Sequence, residues 1–160
     1  MRAQRGSALT EVLVAVFIVT LLVLSIAAIS PMSTRMQRRA QQFTFATNVA
    51  QTALERIRTL DFLQITPNGL INAGLAQTIE LNNTNQFRVR FTTLQTPGGG
   101  TLNLANELRS GFGTIEVVNL TTNNNISIGL KTVIVTVRWQ EPRTGDWQQV
   151  QLATTIASLK

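Results

Sequence analysis

Arg5-Gly6-Ser7-Ala8-Leu9-Thr10-Glu11 leads straight into an apolar run from Val12 to Ile29, and this stretch decides how the rest of the chain is read. The run is 18 residues long with only Thr20 and Ser25 polar, which just reaches membrane-spanning length for a helix. Glu11 is out of character with it. An acidic side chain at mid-membrane costs roughly 2.5–3.5 kcal/mol on insertion scales, so a carboxylate here calls for a partner of opposite charge. Arg2 and Arg5 precede the run. The positive-inside rule then places the N-terminus in the cytoplasm and residues 31–160 outside.

Three readings compete for this segment. A cleavable secretory signal has the basic start, but its apolar region is normally about 7–15 residues, shorter than this one. The small-x-small site at Ala28-Ile29-Ser30 is followed by Pro31, which disfavours cleavage there. A plain signal anchor gives the right topology and leaves Glu11 unexplained. The third reading takes in every feature. Arg5-Gly6 followed by Ser7-Ala8-Leu9-Thr10-Glu11-Val12-Leu13-Val14-Ala15 resembles the class III signal of type IV pilins and type II secretion pseudopilins.

That resemblance implies a leader, residues 1–6, cut on the cytoplasmic side between Gly6 and Ser7. It also implies methylation of the new amine on Ser7, with Glu11 as the fifth residue of the mature chain. The pattern departs from the family at one place, where Ser7 stands at a position usually held by Phe. Physically, cleavage creates a positive amine at the head of the helix. Two opposite charges about 4 Å apart attract by ~4 kcal/mol at an effective dielectric near 20, comparable with the cost of burying Glu11. A pair between the Glu11 of one subunit and the amine of the next is heterologous, and such contacts build open helical filaments.

Beyond the apolar run, Pro31 lacks an N–H and predicts a kink or a loosened turn. Thr34 to Leu60 has neither Gly nor Pro. Its apolar residues Phe43, Ala46, Val49, Ala50, Ala53, Leu54, Ile57 and Leu60 recur at helical spacing, which predicts a helix packed on a sheet by that stripe. Arg35, Arg38 and Arg39 lie just outside the membrane and read as a solvated turn or subunit contact, with contact to anionic headgroups as the alternative. After Leu60 the period changes. Thr66-Pro67-Asn68-Gly69 signals a turn, and Leu70 to Ala76 reads as a loop or a short irregular piece. Alternation then predicts strands over Thr78–Leu81, Gln86–Thr93, Thr114–Leu120, Lys131–Trp139 and Trp147–Ile156. Pro97-Gly98-Gly99-Gly100 opens a long loop to Gly113, and Asn123-Asn124-Asn125 and Pro142–Asp146 mark later turns. The last two strands, with the helical segment Ala50–Phe62, resemble pilus-modification (V) and secretion I-subunit pilins.

Composition narrows the chemistry. Among 160 residues there is no cysteine and no histidine, which removes a disulfide framework, a thiolate zinc site and the commonest general base. The acids Glu80, Glu107, Glu116, Glu141 and Asp146 show no spacing that favours a catalytic pair, and they are sparse for a cation site. The triple glycine after Pro97 lacks the Lys-Ser/Thr that a phosphate loop requires. The formal net charge is +6. Nucleic-acid binding would need basic and stacking aromatic residues on one face. Arg88 and Arg90 alternate with Phe87 and Phe91, which puts those aromatics on the opposite face.

The expectation is an α+β chain: one long N-terminal helix, half membrane-spanning and half spine, on a small antiparallel sheet, as in pilins. Residues 1–6 form the leader, 7–30 the membrane and assembly half, and 31–160 an exported domain with the spine over 31–62 and sheet and loops over 63–160. No enzyme, cofactor or metal role is expected. The expected partners are other pilin or pseudopilin subunits, a prepilin peptidase, an inner-membrane assembly platform and lipid. The protein would sit in the inner membrane with a single pass, then in a pilus or pseudopilus. The alternative is a signal-anchored exported binding domain that never polymerises, with adhesion or DNA uptake as its role.

Overall fold

A computed structural model describes residues 4–96, 98–120 and 129–158; within these, side chains are described outside 4–8 and 27–31. It has an N-terminal apolar helix followed by a small antiparallel sheet, an α+β arrangement. Helix α1 runs from Gln4 to Thr59 without a break at position 31. The chain divides into two compact units, Met1–Gln41 and Gln42–Lys160, and each has its own character. In the first, every described side chain is exposed, apolar ones included. The second holds the core.

In the second unit the helical stripe packs as its spacing predicts. Ala46, Val49, Ala50, Ala53, Leu54 and Ile57 are buried and Leu60 is half-buried. Alanine at three of these positions lets the helix backbone come close to what it covers, so larger side chains of the sheet fill the space between. Phe43, at the start of the stripe, is partly exposed and meets the Trp139 ring edge-on at 5.0 Å. α1 ends short of 62, and a 3-10 turn follows over Phe62–Gln64.

The main sheet has five strands: β1 (Thr78–Asn82), β2 (Gln86–Phe91), β5 (Phe112–Leu120), β6 (Leu130–Gln140) and β7 (Trp147–Ala157), in the order β1-β2-β5-β6-β7, all antiparallel. Period-two alternation sends Phe87, Val89, Phe91, Ile115, Val117, Val133, Val135, Val137 and Trp139 into the core. Gly113, at the close of this layer, leaves room for the Phe91 ring: a Cβ there would stand 2.0 Å from Phe91 Cζ.

Three segments differ from the sequence reading. Thr66-Pro67-Asn68-Gly69 is not a turn but the start of helix α2 (Pro67–Asn72), which takes in the first three residues of the segment read as a loop or short irregular piece. Thr66 Oγ1 accepts from Gly69 N–H at 3.1 Å and Pro67 takes the first helical turn, where its missing N–H costs nothing. Second, the strand from Gln86 stops at Phe91, and β3 (Thr93–Gln95) turns away to pair with β4 (Thr101–Asn103). Third, the expected long loop before Gly113 contains β4 (Thr101–Asn103) and helix α3 (Leu104–Glu107), and Leu104 on that helix and Leu108 just after it are buried in the same core as Leu94. The turn expected at Asn123-Asn124-Asn125 lies outside the described residues, as does Pro97.

Two cations tie the helix end to the rest of the second unit. The Arg56 guanidinium donates to Ala73 O at 2.7 Å and to Gln95 O. Lys131 Nζ donates to Phe62 O at 2.8 Å and Ile65 O at 2.9 Å, and lies 4.3 Å from the centre of the Phe62 ring. Burial pushes the Lys131 pKa below its ordinary 10.5.

Candidate functional site

Leu9–Ile26 of α1 is an 18-residue window of mean hydropathy 2.7 with none of it buried, long and apolar enough to cross a membrane. Leu9, Val12, Leu13, Val16, Phe17 and their neighbours are each about half to two-thirds exposed, which on an isolated helix is the fate of every outward side chain. Two of the three hydroxyls in the window, those of Thr20 and Ser25, are satisfied by the helix backbone. Thr20 Oγ1 donates to Val16 O at 2.7 Å and Ser25 Oγ to Leu21 O at 2.8 Å, the i→i−4 bond that hides a hydroxyl from hydrocarbon. Glu11 is different: it is exposed on the helix surface and is the one charged residue in the window. Its position is therefore set on a helix, in an apolar band, with its carboxylate open to whatever surrounds that band.

Gly6, Ser7 and Pro31 lie outside the residues whose surroundings are described, as do Arg2 and Arg5. Arg35, Arg38 and Arg39 are exposed on α1.

A second polar array lies on the sheet face opposite the core, around a shallow depression of about 320 Å³. Arg88 Nη2 meets Glu116 Oε2 at 2.5 Å, and Gln86 Nε2 donates to the other oxygen of the same carboxylate. Arg90 stands 3.8 Å from Glu80 and stacks over the Phe112 ring at 3.9 Å. Trp147 meets Phe112 edge-on at 5.8 Å, and Arg138 Nε donates to Gln149 Oε1 at 3.1 Å. Phe87 and Phe91 do point away from Arg88 and Arg90, yet β5 and β7 bring other aromatics to the arginine face. The signal was the alternation of Phe112 with Thr114 and Glu116, but strand order was needed to see it. Three guanidiniums here answer two carboxylates, so the face is a mixed-charge array rather than a track for a polyanion. Glu80 and Glu116, two of the acids weighed as a catalytic pair, are each engaged by an arginine. Among the described residues there is no group of three acidic side chains able to hold a metal ion.

Comparison with family models, with curated proteins and with solved structures finds no match to this chain.

Proposed function

We propose that this chain is a minor pilin or pseudopilin subunit: its role is assembly into a type IV pilus or type II secretion pseudopilus. The observation that carries the reading is Glu11, a single carboxylate on an otherwise apolar, fully exposed helical window. A lipid-spanning anchor has no use for it, whereas a subunit that packs helix against helix can set it against a neighbour's amine. The α+β body, an N-terminal helix followed by a small antiparallel sheet, is compatible with a pilin-like arrangement.

In this reading a prepilin peptidase removes residues 1–6 by cutting after Gly6, and Ser7 becomes the methylated N-terminus. The chain waits in the inner membrane with its N-terminus cytoplasmic, and Glu11 pins the register as an assembly platform adds it to the filament. Mass spectrometry of the protein from its native membrane tests this directly. The expected N-terminus is methylated Ser7, and Gly6→Ala retains Met1 or Arg2 with the leader. A wild-type chain that keeps its leader refutes processing and leaves the non-polymerising signal-anchored domain as the better account.

A further inference from the structure

The main sheet ends differently at its two sides. β1 is five residues long, bulges between Ile79 and Leu81, and carries Glu80. These are the devices by which edge strands avoid pairing with foreign strands. β7 has none of them. Trp147–Ala157 contains no charged residue, no proline and no glycine, and its register against β6 is unbroken from Gln140↔Trp147 to Leu130↔Ala157.

The direction of its free hydrogen bonds follows from the ends of the ladder. Ser158 N–H donates to Gly129 O at 2.7 Å and Glu141 N–H to Asp146 O at 2.8 Å, so even-numbered residues of β7 bond inward to β6. Gln140, paired with Trp147, instead donates away from β7 to Arg109 O. Alternation along an antiparallel ladder then aims the N–H and C=O of Trp147, Gln149, Gln151, Ala153, Thr155 and Ala157 off the edge of the sheet. Among the described residues no strand lies beyond β7. The core is also unfinished there: Val150, Leu152 and Ile156 face it but are only half-buried.

We propose that the outer edge of β7 accepts an extended strand from a different protein chain, apolar at alternate positions. Main-chain bonds to the odd-numbered residues hold the strand, and its alternate apolar side chains cover Val150, Leu152 and Ile156. A second copy of this chain is the poorer occupant. Its β1 edge is guarded. Its β7 edge, paired antiparallel with the core faces on one side, sets the two copies' helical segments 42–59 in opposite senses, whereas a filament of like-oriented subunits needs one sense. That choice of occupant rests on the filament reading; the acceptor edge does not.

The probe is a fluorescent peptide copying residues 131–140, the strand that already matches β7 on its inner side, titrated into the full chain in detergent. Saturable binding is expected, weakened at least tenfold by Ala153→Pro, which removes one outward N–H and leaves the inward bonds in place. A probe N-methylated at every residue keeps its side chains and is expected not to bind, a control that leaves the protein unaltered. Absence of binding, or binding indifferent to N-methylation, overturns the acceptor edge. Concentration-dependent dimers abolished by Ala153→Pro overturn the choice of a different chain. An intact leader in the mass spectrum bears on processing alone and leaves this titration as it stands.

Discussion

Replacing Glu11 with Gln keeps the shape of the side chain and removes its charge, and the position of Glu11 on α1 sets what should follow. The apolar window Leu9–Ile26 is centred between residues 17 and 18. At 1.5 Å per residue, Glu11 lies about 10 Å from that centre, a few Å inside the edge of the window. The mid-membrane penalty of roughly 2.5–3.5 kcal/mol is therefore a ceiling, which falls as the side chain nears the interface. Against this, a pair with a neighbour's amine at about 4 Å is worth ~4 kcal/mol at an effective dielectric near 20. The two effects oppose each other and the pair is the larger. Glu11→Gln should enter membranes as well as the wild type or slightly better, measured as the fraction resistant to alkaline extraction. Its share in sheared filaments should fall at least tenfold, since about 1.4 kcal/mol is already a factor of ten. Glu11→Gln at wild-type levels in filaments would refute the pairing account, because the one charge in the window would then contribute nothing to assembly.

The body offers two further tests. Gly113→Ala places a Cβ 2.0 Å from Cζ of the fully buried Phe91, and should cost about 1–3 kcal/mol or more in chemical denaturation, part of it recovered in Gly113→Ala/Phe91→Leu. Lys131 gives a pH signature: its folded pKa lies below 10.5, so between the two values the unfolded chain binds more protons and stability rises with pH, levelling off above 10.5. The chain has no Tyr, Cys or His, and its other lysine is Lys160, so little else titrates in that range. Melting temperatures from about pH 8 to about pH 11 should show the rise in wild type and lose it in Lys131→Met.

What could be read from the sequence was what periodicity encodes. The stripe Ala46 to Ile57 declared a helix face because six apolar residues recur at one spacing, and they are buried. The five strands of the main sheet were legible to within two residues at each end because alternation survives in β2, β5, β6 and β7, whereas the short β3 and β4 carried no such run. Thr66-Pro67-Asn68-Gly69 misled because Pro and Gly signal turns and helix starts alike, and only the Thr66 side-chain bond separates them. The arginine face was hidden for another reason. Phe112 and Arg90 are 22 positions apart in the chain and become neighbours only through the pairing of β2 with β5. The Arg56 and Lys131 clamps use main-chain carbonyls as acceptors, and no residue type announces which way a carbonyl points.

The two units place opposite demands on one helix. From Ala46 to Ile57 its apolar stripe is already covered by the sheet, and the small residues there leave that cover no slack. From Leu9 to Ile26 the same helix is apolar on all sides and covered by nothing of its own. At about 25 cal/mol per Å², so much exposed apolar surface does not stay in water, and lipid alone would satisfy all of it except Glu11. A neighbouring helix satisfies both the apolar surface and the carboxylate, provided that it brings a cation to the same depth. Arg35, Arg38 and Arg39 begin nine residues beyond Ile26, more than two turns away, so an identical helix in register does not supply one from its far end. In the proposed reading the cation at that depth comes from the head of a neighbouring helix, where cutting after Gly6 would remove Arg2 and Arg5 and leave an amine in their place.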